Sequence, residues 1–573
     1  MDYSKLQNGS DIRGVALEGI EGQHVNLTEE VCRNIGRGFA LWLIQKAGKT
    51  EGLRVAVGRD SRLSGETLCG WICDEMVRQG MAVTDFGMAS TPAMFMATVT
   101  EGHAYDGSIM ITASHLPFNR NGFKFFTKLG GLESADIKAI LAYAAGEETT
   151  GLAPGSLAQG AFMDTYAAIL RQKICDATGE AQPLQGFKIV VDAGNGAGGF
   201  YVDKVLQPLG AVTDGSRYLD PDGSFPNHIP NPEDKEAMES ITEAVRETGA
   251  DLGIIFDTDV DRAGAVLSDG SELNRNRIIA MLSAILLREH PGTTIVTDSN
   301  TSTGLAKFIA EKGGVHHRFK RGYRNVINES IRLNNAGQDS QLAIETSGHG
   351  ALKENYFLDD GAYLVTKLLI ELARGKKEGY SLGSLIETLE EPAESVEFRM
   401  NILVEDFKAY GQAVIAALKE AGILEDDVAT SSYTVRAEYD YSSLGKQKLT
   451  GYNVTNQLTV NLRDMEHIGA TLDQLTAAGA NNIYNIEFLS TRSGEAQDEA
   501  TAYAVQDARR KAQLLADAAG LELGGILSIS ETTSGFYGTA RTYAAKDMVA
   551  AGNSILPDDT SVTASVTMVF EVR

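Results

Sequence analysis

The chain has 573 residues, 43% of them hydrophobic and 22% charged, with a formal net charge of -26 at neutral pH. That length exceeds one ordinary core and predicts roughly three to five domains, while the acidity argues against nucleic acid or an anionic membrane as partner. A phosphorylated substrate stays open, because one site can be basic on an acidic protein.

Through roughly the first 390 residues, apolar runs bounded by turn residues alternate with helical patterns. The strand candidates are residues 53–58 (LRVAVG), 107–112 (GSIMIT), 187–194 (FKIVVDAG), 250–256 (ADLGIIF), 293–298 (TTIVTD) and 340–345 (SQLAIE). Helical patterns cover Thr28–Ala47, Asp234–Thr248 and Arg275–Glu289. The alternation predicts α/β layers with mixed or largely parallel sheets. A strand ending in a functional-looking turn recurs near residues 112, 193, 257 and 345, which predicts several related α/β domains.

After about residue 393 the pattern changes. Val396–Leu403 reads as a strand and Glu405–Ala421 as a helix, followed by β-like runs in SSYTVRAEYDY and NVTNQLTVNL. A long Ala-rich helix then runs to Gly520, with Ala500, Ala504, Ala508 and Ala512 on one face suited to close packing on its own sheet. The closing SVTASVTMVFEV alternates as a half-buried strand, so this part predicts a separate α+β domain. No apolar run reaches the ~18 residues of a membrane span. The N-terminal MDYSKLQNGSDIRG has no apolar signal core, and the expectation is a cytoplasmic protein. Cys32, Cys69, Cys73 and Cys175 are too few for a disulfide framework, and Cys69 and Cys73 read as core thiols of a helix.

The chemistry concentrates in a few turns. In GIIFDTDVDRAG, Asp257, Asp259 and Asp261 alternate after an apolar strand. A calcium loop starting at Asp257 requires Gly sixth and Glu twelfth, where Arg262 and Ser268 stand. FDTDV fits the Asp-x-Asp-x-Val/Thr pattern of haloacid-dehalogenase-type phosphatases, but that pattern wants an apolar residue in place of Asp261. On an extended strand end the three carboxylates would face one way and offer a magnesium site; a solvated acidic turn is the alternative. In GSIMITASHLPFNRNGFKFF a strand delivers Ser114 and His115 into a loop. Being adjacent, their side chains are expected to diverge, which argues against a Ser–His couple. Lys124 reads as a positioned acid or base, or as a solvated lysine. Gly194, Gly196 and Gly199 match a dinucleotide fingerprint formally, but a closely packed tight turn is the better reading.

TASHLP with NGFK, DTDVDR and ETSGHG, in that order, resemble the phosphoserine, metal and sugar-recognition loops of the α-D-phosphohexomutase superfamily, phosphomannomutase/phosphoglucomutase branch. SDIRG, VGRDSRLSG, DAGNGAGG and PDGSFPNHIPNP support it. The resemblance implies three related α/β domains around a cleft, at 1–155, 156–273 and 274–392. It implies a mutase interconverting hexose 1- and 6-phosphates of mannose or glucose through a phosphoserine, with Mg²⁺ and a hexose 1,6-bisphosphate activator. Ser114 would carry the phosphoryl group and join Asp257, Asp259 and Asp261 at the metal. Arg13 and Arg262 would bind phosphate, Lys124 would be the general base, and His115 would lie beside the nucleophile. Glu345 and Ser347 would bond sugar hydroxyls, with His349 supporting their loop. Tyr323 stands where the family often has His, and Lys320, Arg321 and Arg324 remain as phosphate ligands there.

Residues 393–573 begin like the mutase's fourth domain and run into a region resembling the SIMPL domain family, with the junction expected near 411–421. LKEAGILEDDVATSSYTV, AAGANNIYNIEF and AVQDARRKAQLLADAAGLELGGILSISE carry that resemblance. It implies an α+β domain in place of the usual fourth one and offers a route to self-association. No Arg-x-Ser-Gly-Thr phosphate-clamping loop occurs in the chain. An impaired mutase is therefore expected, with a phosphatase or a non-catalytic sugar-phosphate-binding protein as alternatives.

Overall fold

The computed structural model describes residues 2–20, 22–146, 153–391, 396–402, 428–440, 448–460, 471, 474–475, 493–533 and 564–572. The chain divides into two compact units, Met1–Thr301 with Leu305–Leu389, and Ser302–Gly304 with Glu390–Arg573. Among the described residues no helix is long and apolar enough to cross a membrane.

The first unit contains three mixed sheets. In the first, Arg54–Arg59 pairs in parallel with Ala82–Met88 and Gly107–Ile111, and Ser156–Gln159 extends the parallel edge beyond Ala82–Met88. In the second, Ile189–Asp192 is parallel to Leu252–Phe256. In the third, Thr294–Thr297 is parallel to Val315–Arg318 and Ser340–Ile344.

Each sheet then repeats one device. A buried strand of the parallel set passes through a short loop into an antiparallel neighbour. Gly107–Ile111 returns as Arg120–Thr127, Leu252–Phe256 as Ala263–Leu267, and Ser340–Ile344 as Gly350–Leu352. The phosphoserine-like, aspartate and sugar-like loops of the sequence are these three connections. Five-residue runs such as LGIIF and SQLAI are buried throughout, as strands covered on both faces must be.

Helices cover the sheets where their caps predict. Thr28 and Asp234 accept hydrogen bonds from Val31 N (3.4 Å) and Ala237 N (3.1 Å), and Gly48 and Gly249 end their helices in the left-handed conformation. Gly361–Glu378 is buried on most of its faces and packs against Met163–Thr178 and Arg275–Glu289, which identifies it as a central element. Cys69 and Cys73 are buried, with their sulfurs 3.7 Å apart.

The glycine turn 194–199 closes against the aspartate loop. Ala197 N donates to the Thr258 carbonyl (2.8 Å), and a Cβ on Gly196 would stand 2.7 Å from that oxygen and 2.8 Å from Thr258 Cα. This is the closely packed turn rather than a dinucleotide cradle.

In the second unit, Val396–Ile402, Lys448–Val460 and Val428–Asp440 form an antiparallel sheet, and Leu523–Thr533 pairs antiparallel with Ala564–Val572. Ser493–Ala519 ends at Gly520 (φ 70°) and packs on that hairpin with Ala516 buried, while Leu514 and Leu515 stay exposed. The helix expected at Glu405–Ala421, and the junction near 411–421, lie outside the described residues.

Because both neighbours of a Gly196 Cβ are backbone atoms, Gly196→Ala is expected to push the aspartate loop outward and cost about 1–3 kcal/mol. Urea unfolding of the variant beside the parent measures this, and an unchanged midpoint would refute the packing argument.

Candidate active site

The serine loop begins where Gly107–Ile111 ends. Arg62, buried in the turn after Arg54–Arg59, donates to the carbonyls of Ser114, Leu116 (2.5 Å), Pro117 (2.8 Å) and Arg120 (2.9 Å). Arg13 Nη1 donates to the Ala113 carbonyl at 3.1 Å, and its Nη2 pairs with Asp11 at 2.9 Å. Two arginines therefore shape the loop through its backbone. Ser114 itself sits at φ 51°, a conformation L-residues take up only when the surroundings impose it.

That conformation corrects one expectation. Adjacent Ser114 and His115 side chains do not diverge: the left-handed residue turns them to the same side, and Ser114 Oγ lies 3.3 Å from His115 Nδ1. His115 Nδ1 also faces Arg262 Nη2 at 2.5 Å, which makes it an acceptor. The Arg262 charge, with burial adding to it, holds the imidazole pKa well below its ordinary range.

The aspartate loop shows a second difference. Asp257, Asp259 and Asp261 do converge, each offering an oxygen within 4.8 Å of the others. They do so through a turn kinked at Val260 (φ 67°), not by alternation along an extended strand. Three partners stabilise the turn. Thr91, at the start of the helix Thr91–Val99, donates its N–H to the Asp259 carbonyl (2.8 Å) and its hydroxyl to Asp259 Oδ2 (2.5 Å). Lys124 Nζ donates to Asp259 Oδ2 (2.9 Å) and to Asp261 Oδ2. Arg262 Nε donates to Asp257 Oδ2 (3.0 Å).

The electrostatics follow from burial. Lys124 loses solvation, yet Asp259 and Asp261 outweigh that loss and raise its pKa well above the usual range. Asp261 is held below the usual carboxylate range, with Lys124, His349 and Arg262 overcoming burial. Asp257 goes the other way, raised by burial and then by Asp261. Asp259 Oδ1 and Asp261 Oδ1 are buried without a hydrogen-bond partner. Three carboxylates with oxygens within 4.8 Å of one another, two of which keep a buried oxygen free of hydrogen bonds, fit a hard divalent cation such as Mg²⁺.

Ser114 joins the two loops. Its hydroxyl donates to Asp257 Oδ2 at 3.0 Å and accepts from Arg262 Nη2 at 2.8 Å. The sugar-like loop closes the group from the third sheet. Arg262 and His349 form a backbone bridge, and Ala263 N faces the Gly348 carbonyl at 3.4 Å. A tight turn links Glu345 N to the His349 carbonyl (2.8 Å). Glu345 accepts from Gly322 N (2.5 Å) and Ser347 Oγ (3.4 Å), and its pKa is pushed up to about 7 by burial and by Asp298. His349 lies 3.4 Å from Asp359 Oδ2 and is pushed down to about 3, chiefly by burial.

The basic residues after Val315–Arg318 separate. Arg321 acts electrostatically on Glu345 and Asp298, and Lys320 is exposed. Arg324 is engaged by Glu133 and the Gly131 carbonyl (2.9 Å), tying its helix to the first domain instead of reaching the loop, because an acidic side chain of that domain lies within its span. Tyr323 bonds Ser10 Oγ (3.0 Å) and packs 5.1 Å from the His349 ring. Arg62, Thr91, Asn231 and Asp359 contribute to the site without having been singled out in the sequence. The only signal was that Arg62 and Asn231 lie in VGRDSRLSG and PDGSFPNHIPNP.

Comparison with known proteins identifies the family. Family models for phosphoglucomutase/phosphomannomutase α/β/α domains I, II and III match residues 4–150, 164–270 and 274–392, and the model for SIMPL, protein of unknown function (DUF541), matches residues 403–570. The phosphomannomutase/phosphoglucomutase of Pseudomonas syringae pv. tomato is 32% identical over 431 residues, covering 75% of this chain and 85% of the relative. The phosphoglucomutase of Neisseria gonorrhoeae is 31% identical over 385 residues, covering 66% and 78%. Among solved structures, a phosphoglucomutase/phosphomannomutase family protein from Burkholderia thailandensis superposes with a TM-score of 0.62 at 27% identity, over 82% of this chain and 98% of that one. The chain belongs to the phosphoglucomutase/phosphomannomutase family, with its three α/β domains followed by a C-terminal SIMPL region.

Proposed function

We propose that this phosphohexomutase interconverts hexose 1-phosphate and hexose 6-phosphate, of mannose or glucose, through a phosphoserine at Ser114 and a hexose 1,6-bisphosphate intermediate. One observation carries the reading: Ser114 Oγ is held between Asp257 and Arg262, residues 143 and 148 positions away. As a phosphoryl carrier a serine needs positioning and charge around it, which Asp257 and Arg262 supply.

In this reading the phosphoryl group leaves Ser114 Oγ for a sugar hydroxyl, whose proton passes to a base. The bisphosphate turns over, and its other phosphoryl group returns to Ser114. Asp257, Asp259, Asp261 and Ser114 would hold Mg²⁺, which supplies positive charge against the transferred oxygens. Arg262, and Arg13 with a buried Nε that has no partner, offer donors to the same oxygens. Lys124 keeps its proton while Asp259 and Asp261 face it. Lys124 Nζ, held between those two carboxylates, would be the candidate base for the proton of the sugar hydroxyl. Glu345 and Ser347, with His349 behind them, would read adjacent sugar hydroxyls. Hexose 1,6-bisphosphate would activate by loading Ser114.

Incubation with hexose 1,6-bisphosphate and Mg²⁺, followed by intact mass and peptide mapping, is expected to place one phosphate on Ser114, and EDTA to prevent it. Phosphate on Asp257 would instead assign an aspartyl-phosphate hydrolase.

Glu345 gives a test with two signs. Its folded pKa of about 7 lies above the ordinary 4.5, so the ionised carboxylate opposes folding. The penalty is absent below pH 4.5 and grows through pH 7, reaching on the order of 3 kcal/mol at pH 8. Glu345→Gln is therefore expected to gain stability over the parent at pH 8 but not at pH 4, and to lose roughly 1.5–3 kcal/mol of hexose-phosphate binding. Unfolding at both pH values and calorimetric titration read the two effects; unchanged affinity removes Glu345 from the sugar site.

The absent Arg-x-Ser-Gly-Thr loop bears on rate. In the family pattern that loop grips the non-reacting phosphate, and remote binding energy of this kind supports the chemical step. Losing two or three charged hydrogen bonds, roughly 3–9 kcal/mol, corresponds to a hundredfold to millionfold in kcat/KM on an order-of-magnitude scale. Grafting a fourth domain bearing the loop after residue 395 is expected to raise mutase turnover while leaving Ser114 phosphorylation intact. A parent chain that already matches the graft would show that the loop is not needed.

A further inference from the structure

Arg262 touches Ser114, His115 and Asp257 together. Its guanidinium is planar, so the direction of Nη2 toward Ser114 is set by what holds the opposite nitrogen. Nη1 donates to Asn231 Oδ1 at 3.0 Å. The same oxygen accepts from Glu233 N at 3.1 Å. Two donors converging on one atom settle which end of the carboxamide points inward, since its nitrogen could accept from neither.

The segment His228–Ile229–Pro230–Asn231–Pro232 is built to hold that oxygen still. Both Ile229 and Asn231 precede prolines, which restricts their backbones to extended conformations. Asn231 N donates to the Ile229 carbonyl (2.8 Å), and Asp234 N to the Asn231 carbonyl (2.9 Å), which joins the segment to the capped start of Lys235–Thr248. At the other end the His228 ring bonds the Ile229 carbonyl (3.0 Å) and the buried Asp192 (3.0 and 3.1 Å), which also accepts from Ser240 Oγ (2.6 Å) and Gly194 N (2.9 Å). Pro230 leaves no room for a Cβ on Gly194, which would stand 2.8 Å away.

A competitor stands beside this contact. Glu233 Oε2 is 4.0 Å from Arg262 Nη1, close enough to capture the guanidinium if Asn231 did not occupy it. The geometry points to Asn231 as a positioning residue: a neutral acceptor that keeps Arg262 on Ser114 and away from Glu233. This rests on the reading of Ser114 as phosphoryl carrier. Aspartate has the same shape but would pair with Arg262 and weaken its charge at the reacting oxygens; alanine would release it to Glu233.

The test uses the full chain with Asn231→Ala, Asn231→Asp and the double variant Asn231→Ala/Glu233→Gln. Asn231→Ala is expected to lower kcat about tenfold to a hundredfold with KM for hexose phosphate nearly unchanged, the scale of a misplaced catalytic group. Asn231→Asp should lose at least as much despite its shape, and Glu233→Gln added to Asn231→Ala should recover part of the rate. Equal losses in Asn231→Ala and the double variant, or a parental kcat in either single variant, would overturn the assignment. Crystal structures give a readout independent of turnover: Arg262 Nη1 should move onto Glu233 in Asn231→Ala and stay on Ser114's side in the double variant. Arg262 unmoved in Asn231→Ala refutes the proposal even if the parent proves inactive, whereas an inactive parent with Arg262 displaced in the variant counts against the mutase reading alone.

Discussion

The constraint on which the catalytic body depends is the burial of three carboxylates in one turn. Asp257, Asp259 and Asp261 are each no more than 1% exposed. Isolated carboxylates so placed would neutralise or unfold the loop, because desolvation outweighs anything a distant charge returns. Their partners come from outside the second domain as well as within it. Lys124 and Thr91 belong to the first domain, and Arg262 follows the last aspartate directly. The same ion pairs that make the turn tolerable thus align the first domain with the second. Gly361, at the start of the central helix, donates its N–H to the Val260 carbonyl (3.1 Å), and a Cβ there would lie 2.5 Å from the Arg262 carbonyl carbon. The acidic turn is fixed from three sides by contacts that leave no slack.

Three hairpins explain how separate domains can meet with hydrogen-bond accuracy. Loops at the carboxyl ends of parallel strands are the usual place for ligands in α/β sheets. Here each functional loop is also clamped by an antiparallel return strand, so both its ends are ladder-bonded within a few residues. Short, doubly anchored loops hold side chains more closely than free crossover loops do. The arginines Arg62 and Arg13 act on the longest of the three, binding its carbonyls where the ladder cannot reach.

Much of this was legible in the chain. Apolar runs bounded by turn residues gave strands within one or two residues of those found, and Ser, Asp and Glu at their ends marked the loops that the structure brings together. Long-range and torsional facts were not legible. Positive φ at Ser114 and Val260 is imposed by the surroundings, so neither the Ser114–His115 contact nor the kinked aspartate turn follows from residue order. Arg324 sits beside plausible phosphate ligands in sequence, but its partner Glu133 is 191 residues away. Arg62 looked like one charge in a polar turn. Its role exists only because four carbonyls of a loop more than fifty residues away fold within reach of its guanidinium.

The site also holds features that a stability-optimised protein would lack. Ser114 and Val260 occupy left-handed backbone, Asp257 and Glu345 are carboxyl groups whose pKa is raised by burial, and Asp259 and Asp261 each keep an oxygen without a hydrogen-bond partner. Strain and unsatisfied charge persist where function needs them and where the scaffold over-determines the geometry. The scaffold here is the apolar body around the helix Gly361–Glu378, most of whose residues are buried. Against that background the amide partner of Arg262 Nη1 is informative. Ser114 and His115 face Nη2 and Asp257 faces Nε, while Asn231 accepts from Nη1 without changing the local charge. A site balanced between three buried carboxylates and a few cations tolerates a rigid amide at that point, and a fourth acid would shift the balance away from Ser114.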